Sequence, residues 1–274
     1  LTAKFFNPYG TWFFVVIMAG VEYAGYILSR MIGTKGGIIV SGGIGGIISS
    51  TATTVAMTRK STEHPEYRNS YVTATLFASC IMFIRVILVA FLIYPPILQT
   101  IIFPASVMFL GLSGMAFYSF YIAHKEEGKV ALKNEEEQKE YESPFQLIPA
   151  IQFAGLIVII KFLSILGKVY ENEIPPQISN YGLALISGLA DVDAINMAYS
   201  TGAKSGDFTL VIAATTILIA VMSNNVVKAS IAYRFGEKEY GKRVGIGFGV
   251  STIIGIAALV FVNLILPASA RVFQ

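Results

Sequence analysis

Two aspartates in the middle of an apolar stretch constrain this chain more than any other feature. The segment from Gly182 to Ser200, GLALISGLADVDAINMAYS, consists of small and apolar residues yet carries Asp191, Asp193 and Asn196. The only other aspartate in the chain is Asp207. An ionised side chain at bilayer depth costs about 3 kcal/mol or more, so it faces protein or a water-filled cavity and usually has a function there.

The bilayer itself is read from composition. The chain has 274 residues, 54% hydrophobic and 14% charged, against about 25% charged in ordinary soluble domains. The mean hydropathy is +0.65. The charges cluster at Arg59–Arg68, Lys125–Glu142 and Arg234–Arg243. Between the clusters lie eight apolar segments, near 11–29, 37–58, 71–94, 98–123, 145–167, 178–200, 208–233 and 244–267. Each is close to the roughly 20 residues that cross a hydrocarbon core. The expected fold is all-α and polytopic, with the lipid bilayer as its main partner. The net charge of +3 belongs to loops beside the membrane and points to no nucleic acid. Cys80, the one cysteine, excludes an intrachain disulfide. The chain opens at Leu1 without a cleavable signal pattern and reads as a piece of a longer protein.

The charged run Glu126–Ser143 divides the chain. The expected organisation is a membrane repeat over 1–124, a cytoplasmic linker over 125–143 and a second repeat over 144–274. Pro8 and Pro144 each open a four-segment unit. Gly46–Ala56 aligns on Gly188–Ala198 without gaps, placing Ser49 on Asp191, Thr51 on Asp193 and Thr54 on Asn196. Arg85 matches Lys228 with one residue of offset. If all eight segments span, lysine and arginine are nearly balanced across the membrane. If the second and sixth dip in and return, 13 fall on one face and four on the other, which satisfies the positive-inside rule. Each half then has three spanning helices and one broken or re-entrant segment, so the halves are inverted. Interrupted small-residue segments at matching places in inverted halves point to a midplane site in transporters.

If the segments break near Ser49/Ser50 and Ala190/Asp191, two half-helices start there. Ser, Thr and Asp suit such starts because their oxygens accept first-turn N–H groups. The expected ion-binding set is Asp191, Asp193, Asn196, Ser49, Ser50, Thr51 and Thr54. The aspartates favour a cation such as H⁺, Na⁺ or Mg²⁺, with neutral oxygens completing the shell. Arg85, Lys228, Asn224, Asn225 and Glu22 are expected as counter-charge or gating residues. The plainer readings are helix capping by Asp191, pairing of Asp193 with Lys228 or Arg85, and helix packing by the Ser/Thr run. Lys161 snorkels to an interface, and His64 and His124 have no metal-ligand spacing. No cofactor is called for.

At GGIIVSGGIGGIISSTATTVA and SGLADVDAI, with NPYGTW at the start and GYILSRMIGTKGG between, the chain resembles the uncharacterised membrane domain that follows the MgtC/SapB domain in many bacterial and archaeal proteins. The resemblance covers nearly the whole chain. It implies residence in the inner membrane and an association with magnesium homeostasis, and it carries over no functional residue. The MgtC/SapB domain, or a second copy of the chain, is the protein partner it suggests.

The leading expectation is a transporter or channel for a small inorganic ion. The alternative is a non-transporting regulatory or assembly subunit. An intramembrane aspartyl protease is disfavoured: Gly188-Leu189-Ala190-Asp191 lacks the second glycine of a Gly-x-Gly-Asp turn, no Tyr-Asp partner exists, and both aspartates share one segment. The chain is not expected to be an enzyme.

Overall fold

The computed structural model describes residues 37–127 and 176–265, with positions 16, 20, 23, 24, 27, 159, 162 and 163, all helical, in two further segments. Glu22, Lys161 and most of the charged linker lie outside the described residues. Within 37–127 and 176–265, seven α-helices follow in order: α1 Gly37–Glu63, α2 Arg68–Ile93, α3 Leu98–Glu127, α4 Pro176–Ala190, α5 Asp193–Lys204, α6 Leu210–Phe235 and α7 Lys238–Ile265. Five of them are long and apolar enough to cross a membrane. In lipid the backbone must satisfy its own polar groups, and helices do this within one segment.

The outer faces are apolar, with Leu110, Phe117, Ile186 and Ile253 all more than 60% exposed. Much of the interior is polar: Thr54, Thr73, Thr75, Ser79, Asn196, Ser200, Asn225 and Lys228 are completely buried. Small residues there allow backbones to approach closely. Gly42 lies against Ala74 and Gly46 against Ala78, so tightly that a Cβ at either glycine would overlap the α2 backbone.

These contacts also show that α1 folds back on itself. Its backbone is extended at Ser49 (φ −159°, ψ 113°). The first arm runs parallel to α2, because residue 42 meets 74 and 46 meets 78. Yet Thr58 shares the hydroxyl of Tyr240 with Thr75, at 3.3 and 2.9 Å. Residues 42 and 58 therefore lie at one level, whereas a straight helix would separate them by about 24 Å. Gly45 faces the Thr53 side chain across the bend.

The 178–200 segment is two helices, α4 and α5, parted at Asp191–Val192. Here too the arms fold together: Tyr199 Oη donates to Asn180 Oδ1 at 2.7 Å, across what would be about 28 Å of continuous helix. Tyr199 stacks on Phe208, centroids 4.6 Å apart, which ties α5 to the turn before α6.

The α1–α2 and α6–α7 connections sit at the same end of the bundle. Glu237 N donates to Ser61 Oγ at 3.1 Å, Arg243 Nη1 to Asn69 Oδ1 at 2.5 Å, and Arg68 lies 3.8 Å from Glu237. The two basic connections therefore share one face of the bundle. That end gathers Arg59, Lys60, Arg68, Arg234, Lys238, Lys242 and Arg243. The α1 arms open toward it, and the α4–α5 arms open toward the start of α6 at the other end. Helix bounds differ from the hydropathy segments where charge continues a helix: α3 runs to Glu127, and α7 starts at Lys238 rather than near 244.

Candidate functional site

Arg85 links the two bends, and each bend is reached by a cation from a helix of the other half. Arg85 of α2 pairs with Asp193 of α5, Nη2 to Oδ2 at 2.5 Å, with both side chains nearly buried. Arg85 Nη1 also donates to the Ile47 carbonyl at 3.3 Å, just before the α1 bend. Lys228 of α6, fully buried, donates to Ser50 Oγ at 2.7 Å, to Ser79 Oγ at 3.3 Å and to Met82 Sδ at 3.2 Å. The Phe248 ring lies 5.9 Å from its ammonium. Among the described residues Lys228 has no carboxylate within ion-pair distance.

Asp191 holds the start of α5. Its Oδ1 accepts from Asp193 N at 2.6 Å and from Ala194 N at 3.0 Å, satisfying first-turn donors that have no helical partner. Ser49 does the same more weakly for the second arm of α1, accepting from Ala52 N at 3.2 Å. Asn196 Nδ2 donates to the Val86 carbonyl at 3.0 Å, and its Oδ1 accepts from Ser200 at 3.1 Å. Thr54 Oγ1 donates to the Ser50 carbonyl at 2.8 Å within its own helix. Among the described residues Thr51 has no side-chain hydrogen-bond partner. Asn224 Nδ2 donates to the Gly188 carbonyl at 3.0 Å, at the end of α4.

Of the expected residues, Arg85 with Asp193 and Lys228 with Ser50 are brought into contact across helices, as two separate polar groups, while Glu22 lies outside the described residues. Among the described residues no hydrogen bond joins Ser49, Ser50, Thr51 or Thr54 to either aspartate. Several buried polar atoms there have no partner among the described residues: Arg85 Nε, Asp193 Oδ1, Asn224 Oδ1 and both amide atoms of Asn225. No group of three or more His, Cys, Asp or Glu among the described residues is placed to hold a metal ion.

Ser79 and Met82 were not expected at the centre. They lie in an apolar run of α2 where a serine and a methionine carry no distinguishing signal. Tyr240, which bridges Thr58 and Thr75 from the first turn of α7, stands in a charged run that gives it no distinguishing signal.

Together these features define an α-helical multi-pass membrane protein with a buried charged centre between two bent segments. The chain belongs to the family described as domain of unknown function (DUF4010), whose model matches residues 16–236. A protein of Aquifex aeolicus (strain VF5), described as uncharacterized, is 28% identical over 207 residues, covering 74% of this chain and 84% of the relative. No solved structure matches the chain.

Proposed function

We propose that this protein moves a small inorganic ion across the cell inner membrane, through a centre formed where two inverted repeats meet. One observation carries the reading: buried charged side chains from each half, Arg85 and Lys228, reach the helix break of the other half. Such charges are costly in a membrane interior and are concentrated along ion pathways. Repeat character is supported by a constant offset along the chain. It takes the Ser49 bend to the Asp191 bend, the bond to Ala52 N to the bond to Ala194 N, and the Gly46–Ala78 approach to Gly188–Ala220. Because α2 and α6 run in opposite directions, the relating axis lies in the membrane plane. The positive-inside rule makes the basic end cytoplasmic.

The sequence's preference for a cation assumed two free carboxylates. Arg85 engages one and the α5 cap engages the other, so the sign of the ion is argued below from the groups that remain. The same engagement supports a second reading, a non-transporting regulatory or assembly subunit of an MgtC-type magnesium system, in which these carboxylates only build the fold.

The test is ion flux in proteoliposomes, comparing wild type with an Asp191→Asn/Asp193→Asn variant. Transport requires a flux in the wild type that the variant alters. Absence of flux of any inorganic cation or anion from well-folded wild type removes the transport reading and leaves the subunit. Topology is tested separately with cysteines: positions 59 and 238 should label from one side and position 204 from the other. Labelling of 59 and 238 from opposite sides would break the inverted arrangement.

A further inference from the structure

We propose that the Ser49 bend is a binding site for a small monovalent anion of halide type, held by Lys228, Asn225, Ser50 and Ser79; this rests on the transport reading and gives it a substrate class. The second arm of α1 starts here with Ser50-Thr51-Ala52-Thr53, a first turn with no acidic residue. A helix start carries about half a positive charge and attracts anions. A helix start alone is not a site, but two further observations converge on this one. The first is the Lys228 ammonium, wholly buried and, among the described residues, without a carboxylate contact. One of its three N–H groups is spent on Met82 Sδ at 3.2 Å, and a thioether is a weak acceptor that an anion would replace with gain.

The second is Asn225, wholly buried, with neither amide atom partnered. It precedes Lys228 by three residues, so the two share one face of α6. A buried amide without a partner costs free energy of its own and calls for a ligand or ordered water. From that face its unpartnered N–H groups are available to an anion alongside the ammonium and the hydroxyls of Ser50 and Ser79. The Asp191 bend is the opposite case, since its own carboxylates occupy the donors.

The chemistry also limits the anion. Lys228 is a compact point charge, and the hydroxyls are single donors. The guanidinium fork that favours phosphate or carboxylate belongs to Arg85 and is already turned to Asp193. The other charged groups near Lys228 are Arg85 on α2 and Asp191 and Asp193 at the α5 start. From α7 it meets the Phe248 ring.

The experiment is thermal unfolding of the purified full chain in detergent. Potassium gluconate is replaced stepwise by potassium fluoride, chloride or nitrate at constant ionic strength, with sodium and magnesium gluconate as cation controls. A ligand of the folded state raises Tm with its concentration. At least one of the three anions should stabilise the wild type saturably. Lys228→Met should abolish the shift, and Asn225→Leu should weaken the affinity at least fivefold. Where Lys228→Met does not fold, Lys228→Arg and Ser50→Ala take its place and should shift the anion series. An unchanged saturable response in these variants, or stabilisation that follows sodium or magnesium instead, overturns the proposal. Cation flux in the proteoliposome assay together with no anion binding would reject the anion and keep the transporter.

Discussion

The bend at Ser49 and the bend at Asp191 have the same construction and opposite chemistry. In each, a side-chain oxygen at the bend accepts the N–H three residues on, and a glycine three residues before packs against an alanine of a long helix. At Ser49 the bend is neutral and its visitor is Lys228, a cation with no carboxylate in direct contact among the described residues. At Asp191 the bend carries two carboxylates and its visitor, Arg85, is neutralised in a nearly buried ion pair. The scaffold needs only an oxygen at the break and a glycine at the crossing. Charge is free to differ between the two, so the centre is structurally paired but electrostatically polarised. One side is locked and the other presents donors.

The largest effect should come from breaking the locked side. Arg85→Met leaves Asp193 as a buried carboxylate with an unpaired oxygen and should destabilise the fold by about 3–5 kcal/mol. Lys228→Met removes an ammonium whose partners are two hydroxyls and a thioether, and should cost only about 1–2 kcal/mol. Unfolding of both variants in detergent measures the gap. Equal losses would mean that the two bends are electrostatically alike, and the comparison fails.

Next in size are the glycine crossings, which test the likeness instead of the difference. A Cβ at Gly46 would overlap Ala78 backbone atoms, and one at Gly188 would overlap the Ala220 carbonyl. Neither obstacle is a flexible side-chain end, so the helices must separate. Gly46→Ala and Gly188→Ala should each cost about 1–3 kcal/mol, whereas Gly245→Ala, which meets nothing, should be neutral. A harmless Ala at 188 beside a damaging one at 46 would argue against common construction.

How much of this was legible in the sequence depends on how local the cause was. The breaks could be read because capping residues interrupt apolar runs at matching positions, and Ser49 and Asp191 are where the helices part. The folding back of α1 was legible only indirectly, through the distribution of lysine and arginine. Arg85 and Lys228 were both visible as candidate partners for Asp193. The choice between them was not, because it depends on how α2 and α6 are rotated against the bends. Of the Lys228 cage only Ser50 was singled out, by its place at the break; Ser79 and Met82 come from α2, where each is an ordinary residue in an apolar run.

The smallest predicted effect concerns the caps, where the bends differ in degree. Asp191 Oδ1 accepts two N–H groups, at 2.6 and 3.0 Å. Ser49 Oγ accepts one, at 3.2 Å. Loss of a capping side chain to alanine costs about 0.5–2 kcal/mol, and Asn caps as well as Asp. Asp191→Ala should therefore fall near the top of that range and Ser49→Ala near the bottom. Asp191→Asn should stay close to wild type in stability, because its carbonyl oxygen can accept the same two N–H groups. The three variants separate geometry from charge, since Ala removes both and Asn removes charge alone. If Asp191→Asn unfolds as readily as Asp191→Ala, the Asp191 charge holds the centre together. The second bend would then be built on electrostatics, and its resemblance to Ser49 would be one of position only.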